Sequence, residues 1–520
     1  MKQLTVLIIL DGYGLKSESK NNPILKANPT FIEKISNQFL SSKLEASGPA
    51  VGLPPKKDGN SEVGHLNLGA GRIVYQELPK IDLELADEKF FQNPAFKSAC
   101  DHARKNKSNL HLLGLVGTGT VHSNQKHLDG LLQLAAKEKI PQDKVKLHLI
   151  TDGRDSAVDY APHALKEVED WIDEAGVGQI ATIAGRFYAM DRNKYWDRTK
   201  LSYEAVVQGK GPKSKKPLEA IKMAYADKIT DEFIVPTVLT DESNNPLGVI
   251  EDHDALIFFN YRADRSRQLT EALTNPDFLD FTREKIVKDL FMVTMTSYDK
   301  DFKVSGVAYP SEIINQGLSE VLSRENIPQL HLAETEKYAH VTYFFNGRRE
   351  EPFEFEERIL IASPKVETYD LAPRMSADEI TATAIAQINE DRFEFILINY
   401  ANADMVAHTG SYDKTVEAIT CLDGCLNQLY TTISAHNGTL IITADHGNAE
   451  DVNESGFLKG SVTTAHSTNP VPLIIVNSNY TKQSHILNDG ILADVAPTIL
   501  FMLDLAQPME MTGRVLLAKK

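Results

Sequence analysis

The stretch LTVLIILDGYG (residues 4–14) carries the first decision about the fold. Leu4 to Leu10 is an unbroken apolar run rich in β-formers, and it stops at Asp11-Gly12-Tyr13-Gly14. A strand with one wet face alternates apolar and polar residues; a continuous run marks a strand buried on both faces. Lys2 ahead of the run imitates the start of a secretory leader. No small-residue cleavage site follows, and the run is too short to span a membrane. It reads as a buried β-strand that ends in a functional loop.

The same pattern recurs along the chain. Strands are expected at Leu110–Val116, Val145–Ile150, Ile180–Ala184, Ala255–Phe259, Phe291–Met295, Phe395–Ile398, Thr439–Thr443 and Val471–Val476. Helix-like stretches separate them, which points to an α/β protein with mostly parallel sheets. Polar groups follow these strands closely: Asp11, Thr151 to Asp155, Gly185-Arg186, Asn260 to Arg262, Asn399 to Asp404, and Ala444 to His446. Parallel α/β sheets bind ligands at the carboxyl ends of their strands, so this placement suggests an enzyme. Basic Gly209–Pro217 reads as a solvated surface loop in preference to a targeting or nucleic-acid patch, Asp241–Gly248 reads as a loop, and charged Phe344–Arg358 reads as running along the surface or a domain seam.

Composition sets the limits. At roughly 150 residues per domain, 520 residues suggest about three or four domains. The formal charge is −17, which argues against nucleic acid and anionic membrane as partners, since both favour a basic surface. A small anionic substrate remains open, provided a local basic cluster reverses the field. Three cysteines, Cys100, Cys421 and Cys425, are too few for a disulfide framework and suit a reducing cytosol. Cys421 and Cys425 share one helix face, where core packing is the preferred reading over a redox or metal pair.

Six residues have the character of metal ligands. Asp404 and His408 form a D-x3-H pair that a helix would stack on one face. Asp445 and His446 come directly after an apolar strand, and His466 sits in a polar loop. With Asp11 these make three carboxylates and three imidazoles, enough for two divalent ions of the Mn²⁺, Zn²⁺ or Co²⁺ type rather than a pure Mg²⁺ or Ca²⁺ site. Ser61 follows a Pro/Gly-rich loop and precedes a helix start. Alone, that window favours a capping serine over a nucleophile by roughly two to one. The metal-type residues reverse the order, because a metal and a helix N-terminus would both stabilise the serine anion. His65 reads as structural. Arg186 and Arg192 form one basic group, and Arg262, Arg265 and Arg267 another, the residue type that grips phosphate and carboxylate in a fork. Arg154 and Asp155 lie at a strand end. His122 is a candidate donor to an oxyanion, and Lys337, after the strand-like Gln329–Ala333, is either a phosphoryl-neutralising cation or a surface lysine.

These residues sit in segments that together resemble one family, the cofactor-independent (2,3-bisphosphoglycerate-independent) phosphoglycerate mutases of the alkaline phosphatase superfamily. The segments are LDGYG (10–14), GNSEVGHLNLGAGRIVYQ (59–76), HSNQKH (122–127), TDGRD (151–155), GRFYAMDR (185–192) and YRADRSRQ (261–268). They continue with ETEKYAHVTYFFNG (334–347), SPKVETYD (363–370), ADMVAHTG (403–410), ADHGNAE (444–450) and TAHSTNPVP (464–472). They run in family order over nearly the whole chain. The resemblance implies an alkaline-phosphatase-like α/β domain (1–77 and 311–520) with a second α/β domain inserted into it (78–310). It implies one metal held by Asp404, His408 and His466 and another held by Asp11, Ser61, Asp445 and His446. Mn²⁺ is the first expectation, with Mg²⁺, Co²⁺ or Zn²⁺ as alternatives. Substrate contacts would come from His122, Arg154, Asp155, Arg186, Arg192, Arg262, Arg265 and Lys337. Ser61 would take the phosphoryl group, and Asp155 would serve as acid and base. Asp58, Ala403, Ala407, Arg348 and Arg374 depart from the family pattern, and none replaces an implied ligand.

The expected activity is therefore interconversion of 3- and 2-phosphoglycerate through phosphoserine, by a cytoplasmic monomer with a small-molecule substrate. Because water must be kept from phosphoserine, hinges are expected near residues 76–80 and 305–312. A phosphatase, nuclease or sulfatase sharing the metal residues is the first rival, but it leaves the two arginine motifs unexplained. A non-catalytic metal-binding scaffold is the second, and a full ligand set beside a nucleophile argues against it.

Overall fold

The computed structural model describes residues 4–18, 20–452 and 466–520. The first two residues of the 464–472 motif therefore lie outside the described residues. Strands are numbered along the chain. The first two are β1 (Thr5–Leu10) and β2 (Leu40–Glu45). Next come β3 (Leu110–Val116), β4 (Val145–Thr151), β5 (Gln179–Gly185), β6 (Lys213–Ser214), β7 (Thr237–Leu239), β8 (Ala255–Phe258), β9 (Phe291–Thr296) and β10 (Gly306–Tyr309). The last are β11 (Gln329–Glu334), β12 (Glu356–Ile361), β13 (Phe395–Tyr400), β14 (Thr439–Thr443), β15 (Val471–Val476), β16 (His485–Leu487), β17 (Gly490–Ile491) and β18 (Leu517–Lys519).

The chain divides into two compact units, Met1–Gln76 with Glu312–Lys520, and Glu77–Ser311. The first unit is built on an eight-stranded sheet of order β12-β11-β13-β1-β14-β15-β2-β17. Only β1 and β2 precede the second unit in the chain; the other six follow it, so the second unit is an insertion between β2 and β11. Its own eight-stranded sheet has the order β10-β9-β8-β3-β4-β5-β7-β6. The architecture is α/β with a second α/β unit inserted.

In the first unit β1 lies between β13 and β14, parallel to both, with Leu10 opposite Tyr400 and Ile9 opposite Thr443. All three strands are buried along their whole length, which is why their sequences are continuous apolar runs. Their carboxyl ends finish level, and this sets the position of everything that follows them. In the second unit, successive residues of β3 serve opposite faces: Leu112 joins one apolar cluster and Leu113 another. Strand order runs outward from β3 through β4 and β5 on one side and from β8 through β9 and β10 on the other. The reversal between β3 and β8 is a topological switch point, where such sheets open a crevice at their carboxyl ends. Among the described residues no helix is long and apolar enough to cross a membrane.

The nine strands expected from apolar runs are present. Edge and short strands such as β2, β6, β7, β10 and β12 are additions. The charged segment Phe344–Arg358 is exposed over most of 349–355, as its charge suggests, while 345–347 and Glu356 are buried. Glu356 is buried at the start of β12, where it accepts hydrogen bonds from Asn346 (2.8 Å) and Arg358 (2.6 Å).

Candidate active site

The level ends of β13, β1 and β14 deliver the metal-type residues of the first unit to one place. Asp11 leaves β1, Asp445 and His446 leave β14, and Asp404 comes from the short Asn402–Ala407 helix after β13. Ser61 is the first residue of the Ser61–Ala70 helix. The cap of that helix is Asn60, whose side chain accepts from the Val63 N–H at 3.0 Å. The capping role that would have explained Ser61 is thus filled by its neighbour, and the serine hydroxyl is left for other partners. This helix approaches the strand ends at Gly64, where an added Cβ would lie 2.5 Å from the Asp445 carbonyl oxygen. Gly12 allows an equally close approach at φ +74°, with a Cβ there standing 2.8 Å from Asp404 Cα.

Lys337, from the Thr335–Ala339 helix, is buried at the centre of this group. Its Nζ donates to Asp11 Oδ1 (2.6 Å), Asp404 Oδ2 (2.6 Å) and Ser61 Oγ (2.7 Å). Ser61 Oγ is also 3.1 Å from Asp11 Oδ1 and 3.0 Å from His446 Nε2. Asp404 Oδ1 lies 3.2 Å from His408 Nε2 and 3.4 Å from His466 Nε2. The surface-lysine alternative for Lys337 does not hold. Burial alone would raise the Asp11 and Asp404 carboxyls; the Lys337 ammonium and the imidazoles around them hold both well below the usual carboxylate range. Burial would likewise lower Lys337, and Asp11, Asp404 and Asp445 raise it above its ordinary value instead. His446, which burial would also lower, is raised to about 10 by Asp445 and Asp11.

The donors fit divalent cations. His466 Nδ1 is 2.8 Å from the Gly59 carbonyl, so it carries the proton and leaves the Nε2 lone pair facing His408 Nε2 at 3.0 Å. His408 Nε2, His466 Nε2 and Asp404 Oδ1 thus converge within 3.4 Å of one another, a donor set that suits a cation. Asp445 Oδ2 is buried without a hydrogen bond from the described residues. Two sets, Asp404 with His446 and His466, and Asp11 with Asp445 and His446, each have ligand atoms within 4.8 Å of one another. Mixed oxygen and nitrogen donors of this kind suit Mn²⁺, Co²⁺ or Zn²⁺.

Three supporting residues lie in segments that the sequence marked, though none was singled out as a site residue. Asn399, at the end of β13, donates to Asp11 Oδ2 (2.9 Å) and to His65 Nε2 (2.9 Å). His65 in turn meets the Ser61 carbonyl at 2.9 Å, in keeping with its structural reading. Asn448 donates to Asp404 Oδ1 at 2.8 Å. Buried Glu450 gathers the Gly14 N–H (3.0 Å), the Asn448 N–H (2.9 Å), the Asn469 amide (2.9 Å) and the Ser467 hydroxyl. Their signal was position: each lies within five residues of a metal-type residue.

The second unit gathers the basic residues. His122 follows β3, Arg154 and Asp155 follow β4, Arg186 and Arg192 follow β5, and Arg262 and Arg265 follow β8, all at the carboxyl side of the sheet. The switch point joins two of these loops, since the N–H groups of Tyr261 and Arg262 donate to the His122 carbonyl at 2.9 and 3.2 Å. Arg186 is only 2% exposed and donates to Asp152 (2.6 Å) and Asp155 (2.5 Å). Asp264 accepts from Arg192 at 2.7 Å, with Arg262 at 3.2 Å and His122 at 3.5 Å. A cavity of about 280 Å³ is lined by Arg154, Arg186, Arg192 and Arg265 and by Arg198, which the sequence did not single out. Burial, then Arg186 and Arg192, lower the Arg265 guanidinium from its ordinary value, a sign of crowded positive charge. In a chain of −17 this is the local reversal of field that a small anion needs.

The site residues thus form two clusters, Asp11, Ser61, Lys337, Asp404, His408, Asp445, His446 and His466 in the first unit, and His122, Arg154, Asp155, Arg186, Arg192, Arg262 and Arg265 in the second. Comparison with known proteins gives the family. A 2,3-bisphosphoglycerate-independent phosphoglycerate mutase from Thermomicrobium roseum is 49% identical over 517 residues, covering 99% of this chain and 98% of that protein. The chain belongs to this family. One from Clostridium kluyveri is 46% identical over 516 residues, with 99% of each chain covered. The family signature described as "BPG-independent PGAM N-terminus" matches residues 81–300. A crystal structure of Leishmania mexicana phosphoglycerate mutase at low cobalt concentration aligns over 100% of this chain and 98% of that one, with a TM-score of 0.58 at 28% identity. Members of the family are isomerases, and this chain is an enzyme of that class.

The departures from the family pattern have local explanations. Asp58 pairs with Lys57 at 2.7 Å. Ala403 and Ala407 are buried within the Asn402–Ala407 helix. Arg348 has φ +70°, a left-handed conformation that favours glycine. Arg374 binds Asp378 through two hydrogen bonds, of 2.8 and 2.6 Å.

Proposed function

We propose that this enzyme interconverts 3-phosphoglycerate and 2-phosphoglycerate without 2,3-bisphosphoglycerate, passing the phosphoryl group through Ser61. A cytoplasmic monomer working in glycolysis and gluconeogenesis belongs to the same reading. The observation that carries it is the surroundings of Ser61 Oγ: Lys337 at 2.7 Å, His446 at 3.0 Å and Asp11 at 3.1 Å, on the first turn of a helix.

Asp404, His408 and His466 would hold one divalent metal, and Asp11, Ser61, Asp445 and His446 the other, with Mn²⁺ the first choice. Two such ions lower the pKa of the serine hydroxyl and neutralise phosphoryl charge. Ser61 Oγ, its proton released to solvent on metal loading, attacks phosphorus in line with the glycerate 3-oxygen; the Oγ–P bond forms as the P–O bond to glycerate breaks, and the departing 3-oxygen receives the proton that Asp155 takes from the 2-hydroxyl. The Lys337 ammonium, donating towards Ser61, offsets the charge of the phosphoryl oxygens. His122, Arg154, Arg186, Arg192, Arg262 and Arg265 hold the carboxylate and hydroxyls of the glycerate, where a fork of donors matches carboxylate geometry. Asp155 takes and returns the hydroxyl proton, so that the 2-oxygen can attack phosphoserine and reverse the first step at the neighbouring carbon.

Phosphorus NMR of the enzyme with Mn²⁺ and 3-phosphoglycerate tests this. The expected product is 2-phosphoglycerate with no bisphosphoglycerate added, and Ser61→Ala should fold yet lose turnover. Free phosphate without 2-phosphoglycerate would make the enzyme a hydrolase. Near-normal turnover by Ser61→Ala would remove Ser61 as the nucleophile.

A further inference from the structure

Cys421 and Cys425 lie four residues apart on the Tyr412–Ala435 helix, both buried, at 5% and 1% exposure. Asp378, on the Ala377–Asn389 helix, projects over them. One carboxylate oxygen and the two sulfurs all lie within 4.8 Å of one another. We propose that Cys421, Cys425 and Asp378 form a separate site for a thiophilic divalent cation of the Zn²⁺ or Cd²⁺ type. None of these residues belongs to either cluster described above.

The geometry asks for little rearrangement. Bonds of about 2.3 Å to sulfur and about 2.0 Å to oxygen place tetrahedral ligand atoms roughly 3.5–3.8 Å apart, so a pair at the 4.8 Å limit closes by about 1.3 Å. Two thiolates and one carboxylate leave the fourth position for water. Soft sulfur donors favour Zn²⁺ and Cd²⁺ over Mn²⁺, which separates this site from the oxygen and nitrogen donors around Ser61. A route exists because Asp378 is more than half exposed, so the carboxylate meets the ion at the surface and the sulfurs complete its shell beneath. Arg374 closes that route by its two hydrogen bonds to Asp378. An exposed pair of this kind opens readily, because its net worth in water is small. Binding displaces both thiol protons to solvent.

The test is a titration of the full-length, Mn²⁺-loaded enzyme with CdCl₂, followed by the ultraviolet thiolate-to-cadmium charge-transfer band. Cd²⁺ that displaces ions near Ser61 gives no such band, since that cluster holds no cysteine. The chain has three cysteines, so the controls are complete. The expected result is a band that saturates near one equivalent, survives Cys100→Ser, and is lost in Cys421→Ser and in Cys425→Ser. Asp378→Asn leaves both thiols in place and should weaken binding roughly tenfold or more, the loss seen when even an outer partner of a metal is removed. Absence of the band, its survival in both Cys421→Ser and Cys425→Ser, or unchanged affinity in Asp378→Asn would overturn the site.

Discussion

Replacing Asp152 with asparagine removes one charge from the second unit and almost nothing else. Asp152 is 2% exposed. Its Oδ1 accepts from Arg186 Nη1 (2.6 Å), the Asp155 N–H (3.1 Å) and the Arg154 N–H (3.3 Å), and its Oδ2 from Ser156 Oγ (2.9 Å). An asparagine can keep the bonds from the backbone, but it leaves the buried Arg186 guanidinium with Asp155 as its remaining carboxylate. Stripping a buried charge of its partner costs about 3–5 kcal/mol, and a hydrogen bond to a charged group contributes about 1.5–3 kcal/mol. Because Asp155 stays, the lower end applies, about 2–3 kcal/mol. Both tryptophans, Trp171 and Trp196, lie in Glu77–Ser311, so tryptophan fluorescence reads that unit alone. With a denaturant slope of about 3 kcal/mol per molar urea, the midpoint should fall by roughly 0.7–1 M. Asp170→Asn, which breaks an exposed pair with Lys166, is the control and should leave the midpoint in place. A shift for Asp152→Asn no larger than the control would refute the premise that burial makes this ion pair matter.

Three further outcomes follow. His122 is pushed down to about 4 by burial and then Arg186, with Arg262 opposing and Asp264 and Asp155 favouring its protonation. Between pH 4 and 6.5 the unfolded chain therefore binds a proton that the folded unit does not, and stability falls as pH drops through that window, by up to about 3 kcal/mol. His148, lowered by burial and His111, adds to the same slope; His122→Gln should flatten the tryptophan-detected profile, and an unchanged slope would refute the assignment. Gly64→Ala should favour the helix by about 1 kcal/mol on propensity alone, yet its Cβ would meet the Asp445 carbonyl at 2.5 Å. The measured kcat should drop roughly a hundredfold, as for displacements of about 1 Å in an active site, and an undiminished kcat would show that Asp445 need not stay where it is. Exhaustive chelation should abolish mutase activity and added Mn²⁺ should restore it; turnover that survives chelation would remove the metals from the mechanism.

What sequence reading reached and what it missed divide along a physical line. β1, β13 and β14 were legible because burial on both faces leaves no polar residue in the run, and Asp11, Asp445 and His446 were legible because they end such runs. β2 (LSSKLE) was not, since its exposed Ser41, Lys43 and Glu45 interrupt any continuous apolar signal. Glu356 was read as surface because charge in a sequence carries no record of the Asn346 and Arg358 side chains that satisfy it. Asn399 was flagged only as part of a polar run; its hold on Asp11 spans 388 residues and exists only once β13 and β1 are paired. Ser61 shows the converse: its window alone pointed to a cap, and only the position of Asn60 frees it for chemistry.

The strands that build the site also raise a question of register. In a sheet with one wet face, slippage by one residue turns apolar side chains to water, and that penalty fixes the pairing. β1 is apolar on both faces, so alternation imposes no such penalty within the strand. The penalty lies at its end. A one-residue slip of β1 towards the sheet would carry Asp11 about 3.3 Å inward and turn its carboxylate to the other face. There it would lose Lys337, Ser61 and Asn399 and become an unpaired buried charge, at a cost of several kcal/mol. The same holds for β14, whose last residue, Thr443, is followed after Ala444 by Asp445 and His446. The charged residues at the strand ends therefore specify the register of the central sheet as well as forming the site. This explains how the first unit keeps its pairing although the whole of Glu77–Ser311 intervenes between β2 and β11. Loop-closure entropy grows only slowly with length, by about 0.6 kcal/mol per doubling, so the insertion adds little against a pairing pinned by buried charge.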